Sequence, residues 1–258
     1  MIIQDRMKVI SQRQIAHHIF EMTLSGNLVG EISSPGQFVH IRVADSFEPL
    51  LRRPISIASI NTEADEMTII YRAEGRGTTL LSQKRAGDEV DVLGPLGNGF
   101  PVEETAAGET AVLVGGGIGV PPLYELSRQL TAKGVTCIHV LGFQSENVVF
   151  YEEEFTKLGE TYIVTVDGTL GTAGFVTNVL EKLDKDFATY YSCGPLPMLN
   201  AVQQMYEGKK GFLSFEQRMG CGIGACFACI CQTTDKTDKA YIKVCSDGPV
   251  FPAGVVAI

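Results

Sequence analysis

Four cysteines near the C-terminus constrain this chain more than any other feature. Three of them lie within nine residues, in the run Cys221-Gly-Ile-Gly-Ala-Cys226-Phe-Ala-Cys229, and Cys245 follows after a gap of fifteen residues. This C-x4-C-x2-C…C spacing is typical of plant-type [2Fe–2S] clusters. Thiolates are soft ligands that suit iron and sulfide, and small residues in the first gap let backbone N–H groups turn toward the sulfurs. The spacing therefore predicts a cluster held by these four thiolates.

A structural zinc site is the alternative interpretation of the cysteines. Zinc also binds four cysteines, but usually as two C-x2-C pairs, and one gap here has that length. We interpret Cys231 as a bystander thiol, because using it in place of Cys229 would change the spacing to x4 and x4. Cys137 and Cys193 lie in apolar strand-like runs, where core packing is the simplest explanation.

Composition and charge limit the class of protein. The chain has 258 residues, 45% hydrophobic and 20% charged, which is ordinary for a globular protein of two domains with a small addition. A net charge of −9 argues against nucleic acid or an anionic membrane surface as a partner. We see no signal-peptide core and no apolar run of transmembrane length. Seven cysteines, mostly clustered, do not resemble a secreted disulfide framework, so a cytoplasmic location is expected.

Residues 1–101 have the pattern of a small antiparallel β-barrel. Short candidate strands are separated by turn signals such as Ser25-Gly26-Asn27, and this spacing is typical of barrels. The predicted strands are Lys8–Gln14, His18–Leu24, Gln37–Val43, Ile55–Ile60, Met67–Arg72 and Glu89–Leu93, with a helix at Thr78–Lys84.

Residues 102–211 alternate between strands and helices, and this alternation predicts βαβ units in a doubly wound parallel sheet. The predicted strands are Thr110–Val114, Val135–Gly142, Thr161–Val166 and Thr189–Cys193. The predicted helices are Pro121–Lys133, Tyr151–Leu158, Gly174–Leu183 and Leu196–Tyr206. The stretch 207–211 is a candidate linker, and residues 212–258 are expected to form a small cluster domain.

Two glycine turns in the α/β region indicate a nucleotide crevice. The run Gly115-Gly-Gly-Ile-Gly119-Val-Pro121-Pro follows a strand and begins a helix, so backbone N–H groups there can meet a phosphate. It is not the G-x-G-x-x-G fingerprint, and a tight turn without a ligand is the alternative. Cys193-Gly194-Pro195 ends another strand, and Asp167 follows a third. Ligands of doubly wound sheets bind outside the carboxyl ends of the strands, so these turns face one crevice.

A pair of arginines marks the barrel. Arg52 and Arg53 precede Pro54-Ile-Ser56 in a strand-like run. The planar guanidinium fork matches phosphate, and a serine hydroxyl can donate to a ring nitrogen. A surface ion pair is the alternative. Gly77-Thr78 begins the predicted helix and provides another potential phosphate position.

Taken together, these residues resemble the ferredoxin-reductase superfamily, in which a flavin barrel precedes a pyridine-nucleotide domain. Arg53-Pro-Ile-Ser56 is similar to that family's flavin motif, with isoleucine where an aromatic residue is usual, and the glycine-rich turn and Cys193-Gly-Pro are similar to its nicotinamide motifs. Over essentially the whole chain, the sequence resembles the electron-transfer subunits of class 1B, NAD-dependent dihydroorotate dehydrogenases of Gram-positive bacteria. The runs that carry this resemblance are Leu-Leu-Arg-Arg-Pro-Ile-Ser, Ile-Ile-Tyr-Arg-Ala-Glu-Gly, Gly-Pro-Leu-Gly-Asn-Gly-Phe, the cysteine run and Val-Cys-Ser-Asp-Gly-Pro-Val-Phe.

The resemblance implies a place in de novo pyrimidine biosynthesis. An FMN-containing catalytic subunit would oxidise dihydroorotate to orotate, and electrons would pass through the [2Fe–2S] cluster and FAD to NAD+. The implied assembly is a heterotetramer with two copies of each subunit. Related subunits serve sulfhydrogenases and NADH-dependent ferredoxin:NADP oxidoreductases, which gives an alternative partner. A zinc-stabilised regulatory module that binds a nucleotide is an alternative of another class.

The resemblance also implies roles for individual residues. Arg53 and Thr78 would contact the FAD pyrophosphate, and Ser56 the isoalloxazine ring. The full set of implied cofactor contacts is Arg53, Pro54, Ile55, Ser56, Ile70, Tyr71, Arg72, Gly77 and Thr78 for FAD, and Gly115, Gly116, Gly117, Gly119, Cys193 and Gly194 for NAD. No catalytic acid or base is assigned. The histidines fit neither a metal site nor a catalytic triad, and surface or plain strand positions are expected for His17, His18, His40 and His139.

Overall fold

Six antiparallel strands close into a barrel in the computed structural model, which describes residues 1–44, 48–235 and 240–258. The strands are β1 (Ile3–Ala16), β2 (Ile19–Ser25), β3 (Phe38–Arg42), β4 (Arg53–Asn61), β5 (Glu66–Arg72) and β6 (Glu89–Leu96). Their order around the barrel is β1-β2-β5-β4-β3-β6, and β6 pairs with β1 to close it. Alternating residues such as Met7 and Val9 fill the interior, as period-two burial requires. The predicted barrel is confirmed.

The helix between β5 and β6 begins earlier than predicted. Helix α1 spans Arg76–Leu81, whereas the sequence suggested Thr78–Lys84. The Thr78 hydroxyl accepts the backbone N–H of Gly75 and donates to its carbonyl, so Thr78 closes the first turn from inside the helix. This side-chain cap moves the start of the helix to Arg76 and leaves Gly77 in the first turn.

A seven-stranded sheet follows the barrel, in the order β10-β9-β8-β7-β11-β12-β15. Its strands are β7 (Thr110–Gly116), β8 (Thr136–Phe143), β9 (Gly159–Thr165), β10 (Thr172–Ala173), β11 (Thr189–Cys193), β12 (Gly211–Ser214) and β15 (Val250–Pro252). All neighbouring pairs are parallel except β12 with β15. Along β7, Val112 packs into one apolar layer and Leu113 into the other, as expected for a sheet buried on both faces.

Helices cover both faces of this sheet. They are α2 (Pro121–Ala132), α3 (Glu152–Thr156), α4 (Val176–Leu180) and α5 (Leu196–Met205). Leu123 of α2 packs in one layer, and Val179 of α4 and Leu199 of α5 pack in the other. The predicted doubly wound α/β fold is confirmed, although α3 and α4 are shorter than expected. Tyr151 takes a left-handed φ of 63° and becomes the N-cap of α3, so that helix does not include it.

The end of the chain returns to the sheet. Residues 207–211 were expected to form a linker, but Gly211 begins β12, beside β11. A side chain at Gly211 would collide with the Tyr190 ring, where an added Cβ would lie 2.1 Å from Cζ. The cluster cysteines lie between β12 and β15, with a small hairpin of β13 (Ile230–Gln232) and β14 (Tyr241–Lys243). Two strands of the sheet therefore anchor the segment that carries the cysteines.

Specific contacts fix the barrel against the nucleotide sheet. The Glu125 carboxylate of α2 is buried, accepts the backbone N–H of Ile60 at 3.2 Å and pairs with Arg128 at 2.7 Å. Arg128 also donates to the Ile60 carbonyl. The Tyr151 hydroxyl donates to Glu21 of β2 at 2.5 Å. A buried carboxylate that is paired and hydrogen-bonded holds its position firmly, so these contacts define the crevice between barrel and sheet. In the described ranges, no helix has the length and apolarity needed to cross a membrane.

Candidate cofactor sites

A cavity of about 240 Å³ lies where the barrel meets the sheet. Residues from the predicted flavin motifs form its barrel wall, namely Pro54, Ile55, Ser56, Ile70, Tyr71, Arg72 and Thr78. These residues come from β4, its neighbour β5 and the helix that follows. The pairing of β4 with β5 therefore brings together two motifs that lie fifteen or so residues apart in the chain.

Tyr71 lines this cavity, and its hydroxyl is already hydrogen-bonded to another residue of the barrel. The side chain is 2% exposed, and its hydroxyl donates to Gln12 at 2.8 Å. The ring stacks against Phe20, with centroids 6.0 Å apart. Burial raises the pKa of Tyr71, so the hydroxyl stays protonated at every physiological pH. An apolar, neutral surface of this kind suits contact with a planar ring.

The two barrel arginines have different surroundings. Arg52 pairs with Asp91 at 2.8 Å and donates to the carbonyls of His40 and Asp91, so the ion-pair alternative describes Arg52. In the described part of the chain, the recorded hydrogen bonds of Arg53 go to the carbonyls of Leu51 and Arg52. The Arg53 guanidinium lies against Gly77 at the start of α1. Its charge is therefore placed beside backbone N–H groups, an arrangement that favours an anion.

A second cavity, of about 630 Å³, opens at the carboxyl ends of the parallel strands. Gly116 and Gly117 line it from the first glycine turn, and Pro195 and Met198 line it from the start of α5. Phe175 closes one side and is 65% exposed. Arg72 lines both cavities, so the two lie side by side with this residue between them.

The other predicted glycines allow the two turns to approach each other. A Cβ built on Gly119 would lie 2.4 Å from the carbonyl oxygen of Cys193, and one built on Gly194 would lie 3.0 Å from the Gly116 nitrogen. Gly115 is needed for packing, because its Cβ would lie 2.8 Å from Val120. Cys193 itself is 1% exposed and is not among the residues that line either cavity; burial raises its pKa. Its backbone, rather than its thiol, is what the structure places at the turn.

The cysteines form a cage in which backbone N–H groups point at sulfur. Cys221 Sγ accepts from the N–H groups of Ala225 and Cys226 at 3.3 and 3.4 Å, and Cys245 Sγ accepts from Gly224 at 3.1 Å. Cys226 Sγ accepts the Cys221 N–H at 3.4 Å. Donors of this kind stabilise negative charge on thiolates and on cluster sulfur. The small residues of the first gap therefore let backbone N–H groups turn toward the sulfurs, as the sequence predicts.

The electrostatics of Cys221 fit a ligand. Burial raises the pKa of its thiol, but hydrogen bonds from the backbone of Ile223, Cys226 and Ala225 outweigh this, and the pKa falls to about 7. A thiol with this pKa is substantially ionised at neutral pH, and the thiolate is the form that binds metal.

The four thiols are arranged as two pairs. Cys229 and Cys245 have sulfurs 3.1 Å apart, while Cys221 and Cys226 exchange backbone-to-sulfur hydrogen bonds. Two pairs of thiols match the arrangement in which each of two irons takes two thiolates. Cys231 lies on β13 opposite Ile242, and its sulfur is near the side-chain amide of Gln217 at 3.6 Å.

Comparison with known families identifies two parts of the chain. Residues 216–257 match the model of the iron-sulfur cluster binding domain of dihydroorotate dehydrogenase B. Residues 113–204 match the model of the oxidoreductase NAD-binding domain. The first match covers all four cage cysteines, and the second covers both glycine turns.

Relatives extend the match to the whole chain. The electron transfer subunit of dihydroorotate dehydrogenase B (NAD(+)) from Lysinibacillus sphaericus is 66% identical over 100% of both chains. The corresponding subunit from Bacillus cereus is 59% identical, again over 100% of both. This chain belongs to the family of dihydroorotate dehydrogenase B electron transfer subunits. A solved structure of an NADH-dependent reduced ferredoxin-NADP oxidoreductase also aligns, with a TM-score of 0.86, 27% identity and coverage of 97% of this chain and 89% of that chain.

Membership of the dihydroorotate dehydrogenase B family confirms several expectations. The chain is an oxidoreductase subunit with the ferredoxin-reductase fold, and its cofactors are FAD, a [2Fe–2S] cluster and NAD. The relatives are electron transfer subunits, and this name implies a catalytic partner subunit. The zinc alternative loses its support, because the family model for residues 216–257 is an iron–sulfur domain.

No sequence signal marks the wall of the first cavity opposite the barrel. This wall is the segment after β12, and its cavity-lining residues are Ser214, Phe215, Glu216, Gln217 and Met219. Burial raises the pKa of Glu216, so this carboxyl is held toward its neutral form. No spacing rule marks such a residue, because its environment comes from burial in the folded chain.

Proposed function

We propose that this chain connects dihydroorotate oxidation, carried out by an FMN-containing partner subunit, to the reduction of NAD+ in pyrimidine biosynthesis. The observation that carries the proposal is the serial order of the three sites. The segment after β12 lines the flavin cavity as far as Met219 and reaches the first cage ligand, Cys221, two residues later. Arg72 lines both the flavin cavity and the nucleotide cavity, so these two sites are neighbours.

This order suits the chemistry of the cofactors. When bound, the cluster supplies one-electron transfer, the nicotinamide accepts a hydride, and the flavin between them handles either one or two electrons. The chain itself binds and orients these groups. Backbone donors around Cys221 and Cys245 favour a negatively charged sulfur cage.

We assign the nucleotide contacts on the same basis. Arg53 and the first turn of α1, with Gly77 and Thr78, would hold the FAD pyrophosphate. Ser56 would donate to the isoalloxazine ring, and Ile55, Pro54 and Ile70 would pack against it. Gly115, Gly116, Gly117 and Gly119, with the backbone of Cys193 and Gly194, would form the NAD phosphate site. Cys221, Cys226, Cys229 and Cys245 would ligate the cluster.

Apolar side chains surround the cage and mark the docking face. Phe227, Ile230, Ile223 and Tyr241 are between 46% and 50% exposed. Phe227 takes a left-handed φ of 58°, which is unusual for a bulky residue, and its ring meets Tyr241 with centroids 6.0 Å apart. Exposed aromatic and aliphatic groups around a redox centre suit a permanent interface, which for a stable complex buries more than about 2,000 Å² in total.

The assembly and its setting are part of the proposal. The chain would pair with one FMN subunit in a heterotetramer that contains two copies of each, in the cytoplasm. Its domains would be the FAD barrel (1–101), the NAD domain (102–211) and the cluster domain (212–258), the last of which is anchored in the nucleotide sheet by β12 and β15.

The test is reconstitution. Dihydroorotate:NAD+ activity is measured for this chain alone, for the FMN subunit of the same organism alone, and for the mixture. We expect NAD+-linked activity from the mixture, and NADH oxidation with artificial acceptors from this chain alone. Full dihydroorotate:NAD+ activity without any partner would contradict the proposal. Isolation of the chain with a ferredoxin or hydrogenase partner, and none with the FMN subunit, would favour the alternative partners.

A further inference from the structure

His40 is a buried histidine whose presence the sites above do not explain. Its side chain is 0% exposed, and neither ring nitrogen has a hydrogen-bond partner among the described residues. A neutral imidazole has one N–H donor and one acceptor nitrogen, and leaving such groups unpaired in the interior is destabilising. His139 is buried to the same extent, but its nitrogens lie 2.7 Å from Ser127 Oγ and 3.0 Å from Thr161 Oγ1. An unpaired buried group calls for an explanation.

The position of His40 places it against the cage. On β3, Val39 and Ile41 fill the barrel, so His40 faces outward, toward the C-terminal segment. Gly222 covers it: a Cβ built there would lie 2.6 Å from His40 Nδ1, and Gly222 has a φ of +76°. The first gap of the cage can therefore approach the barrel this closely because residue 222 is glycine.

The backbone next to Gly222 offers an acceptor to this ring. Gly222 lies directly over His40 Nδ1, and the preceding residue, Cys221, interacts with the imidazole through its backbone carbonyl. The two do not form a hydrogen bond of normal geometry. An imidazole N–H directed at this carbonyl would give both groups a partner.

We propose that His40 is a positioning residue for the iron–sulfur site: its ring N–H donates to the Cys221 carbonyl when the four thiolates bind the cluster. This inference rests on the proposed cluster ligands. The bond would hold the loop 221–226 against β3. Because His40 pairs with Pro54 in the barrel, the same contact would tie the cluster loop to the strand that carries the flavin motif.

Two substitutions of His40 separate this role from simple packing. His40→Leu keeps an apolar side chain but removes the donor, and His40→Gln keeps an N–H donor. Under the proposal, the cluster of His40→Leu is lost to an iron chelator about fivefold or more faster than that of the parent, and His40→Gln restores the parent half-life to within about twofold. If His40 merely fills space, the cluster of His40→Gln is lost faster than that of His40→Leu, because an unpaired amide destabilises an apolar site more than leucine does.

The readout is the visible circular dichroism of the cluster over time under anaerobic conditions, with no turnover required. His139→Leu is the matched control: it should lower thermal stability and leave the cluster half-life unchanged where the protein stays folded. If His40→Leu does not fold, exchange of the ring N–H of ¹⁵N-histidine-labelled parent protein decides. Slower exchange with the cluster than after its removal supports the proposal, and equal exchange overturns it. Parent protein without iron and sulfide would instead refute the proposed function.

Discussion

The Arg53 guanidinium fills the space that a side chain at Gly77 would need, because a Cβ built on Gly77 would lie 2.4 Å from Arg53 Nε. Gly77→Ala should therefore displace Arg53 from the start of α1. We expect the variant to bind FAD at least about tenfold more weakly than the parent, since a charge-assisted phosphate contact contributes on the order of 1.5–3 kcal/mol to binding. The measurement is the dissociation constant for FAD, from flavin fluorescence of protein stripped of flavin and titrated with it.

Gly30→Ala is the control for the Gly77→Ala substitution. A Cβ on Gly30 would meet nothing within 4 Å, so the same substitution there should leave FAD affinity unchanged. Equal FAD affinity in Gly77→Ala and the parent would show that Arg53 does not bind the cofactor in the orientation found here.

The arrangement of the cage cysteines predicts which individual thiols the cluster requires. Ser in place of Cys221, Cys226, Cys229 or Cys245 should abolish or grossly perturb the visible spectrum of the cluster, because each thiolate completes the coordination of one iron. Cys231→Ser should leave that spectrum nearly unchanged, since Cys231 lies on β13 near Gln217. Iron and sulfide analysis of all five variants checks this. A normal cluster in Cys229→Ser, together with its loss in Cys231→Ser, would reverse the assignment.

The contrast between Arg52 and Arg53 shows where sequence reasoning stops. Adjacent arginines look alike in a sequence, yet Arg52 is paired with Asp91 of β6, because the strand order β4-β3-β6 brings the start of β4 near that strand. The spacing of cysteines and glycines did predict the cage and the first glycine turn, since those sites are local in the chain. The contact between His40 and Gly222 joins residues far apart in sequence, and Glu216 acquires its raised pKa from burial alone. Neither has a local pattern that a single sequence could reveal.

His139 predicts a loss of stability in acid. Burial lowers its pKa to about 4, so the folded protein holds this ring neutral while the unfolded chain protonates it below about 6.5. The contribution of the neutral His139 ring to the free energy of unfolding is therefore fully present above pH 6.5. This contribution is lost as the pH decreases toward 4, and the total loss is about 3 kcal/mol. Denaturant midpoints of the parent and His139→Gln, measured at pH 7.5 and pH 5, check this. The denaturant midpoint should fall further in the parent than in the variant between pH 7.5 and pH 5. Equal decreases in the two proteins would contradict the assignment.

The exposed ring of Phe227 offers a test of the docking face. It is 49% exposed and lies between two cage cysteines, Cys226 and Cys229. Aspartate tolerates the left-handed backbone at this position better than most residues, so Phe227→Asp should keep the loop conformation and the cluster. Burying a carboxylate in an apolar interface is unfavourable, and moving the nearby Lys243 ammonium, 4.8 Å from the Phe227 ring centroid, into that interface with it adds a second desolvation cost. We expect binding to the FMN subunit to weaken by about a hundredfold or more, as found for residues at interface hot spots, when affinity is measured by sedimentation or calorimetry.

Ile10→Asp is the matched control, because Ile10 is 39% exposed on the barrel strand β1 and not on the cage face. Equal weakening in both variants would show a non-specific effect of charge, and full binding by Phe227→Asp with its cluster intact would place the docking face elsewhere.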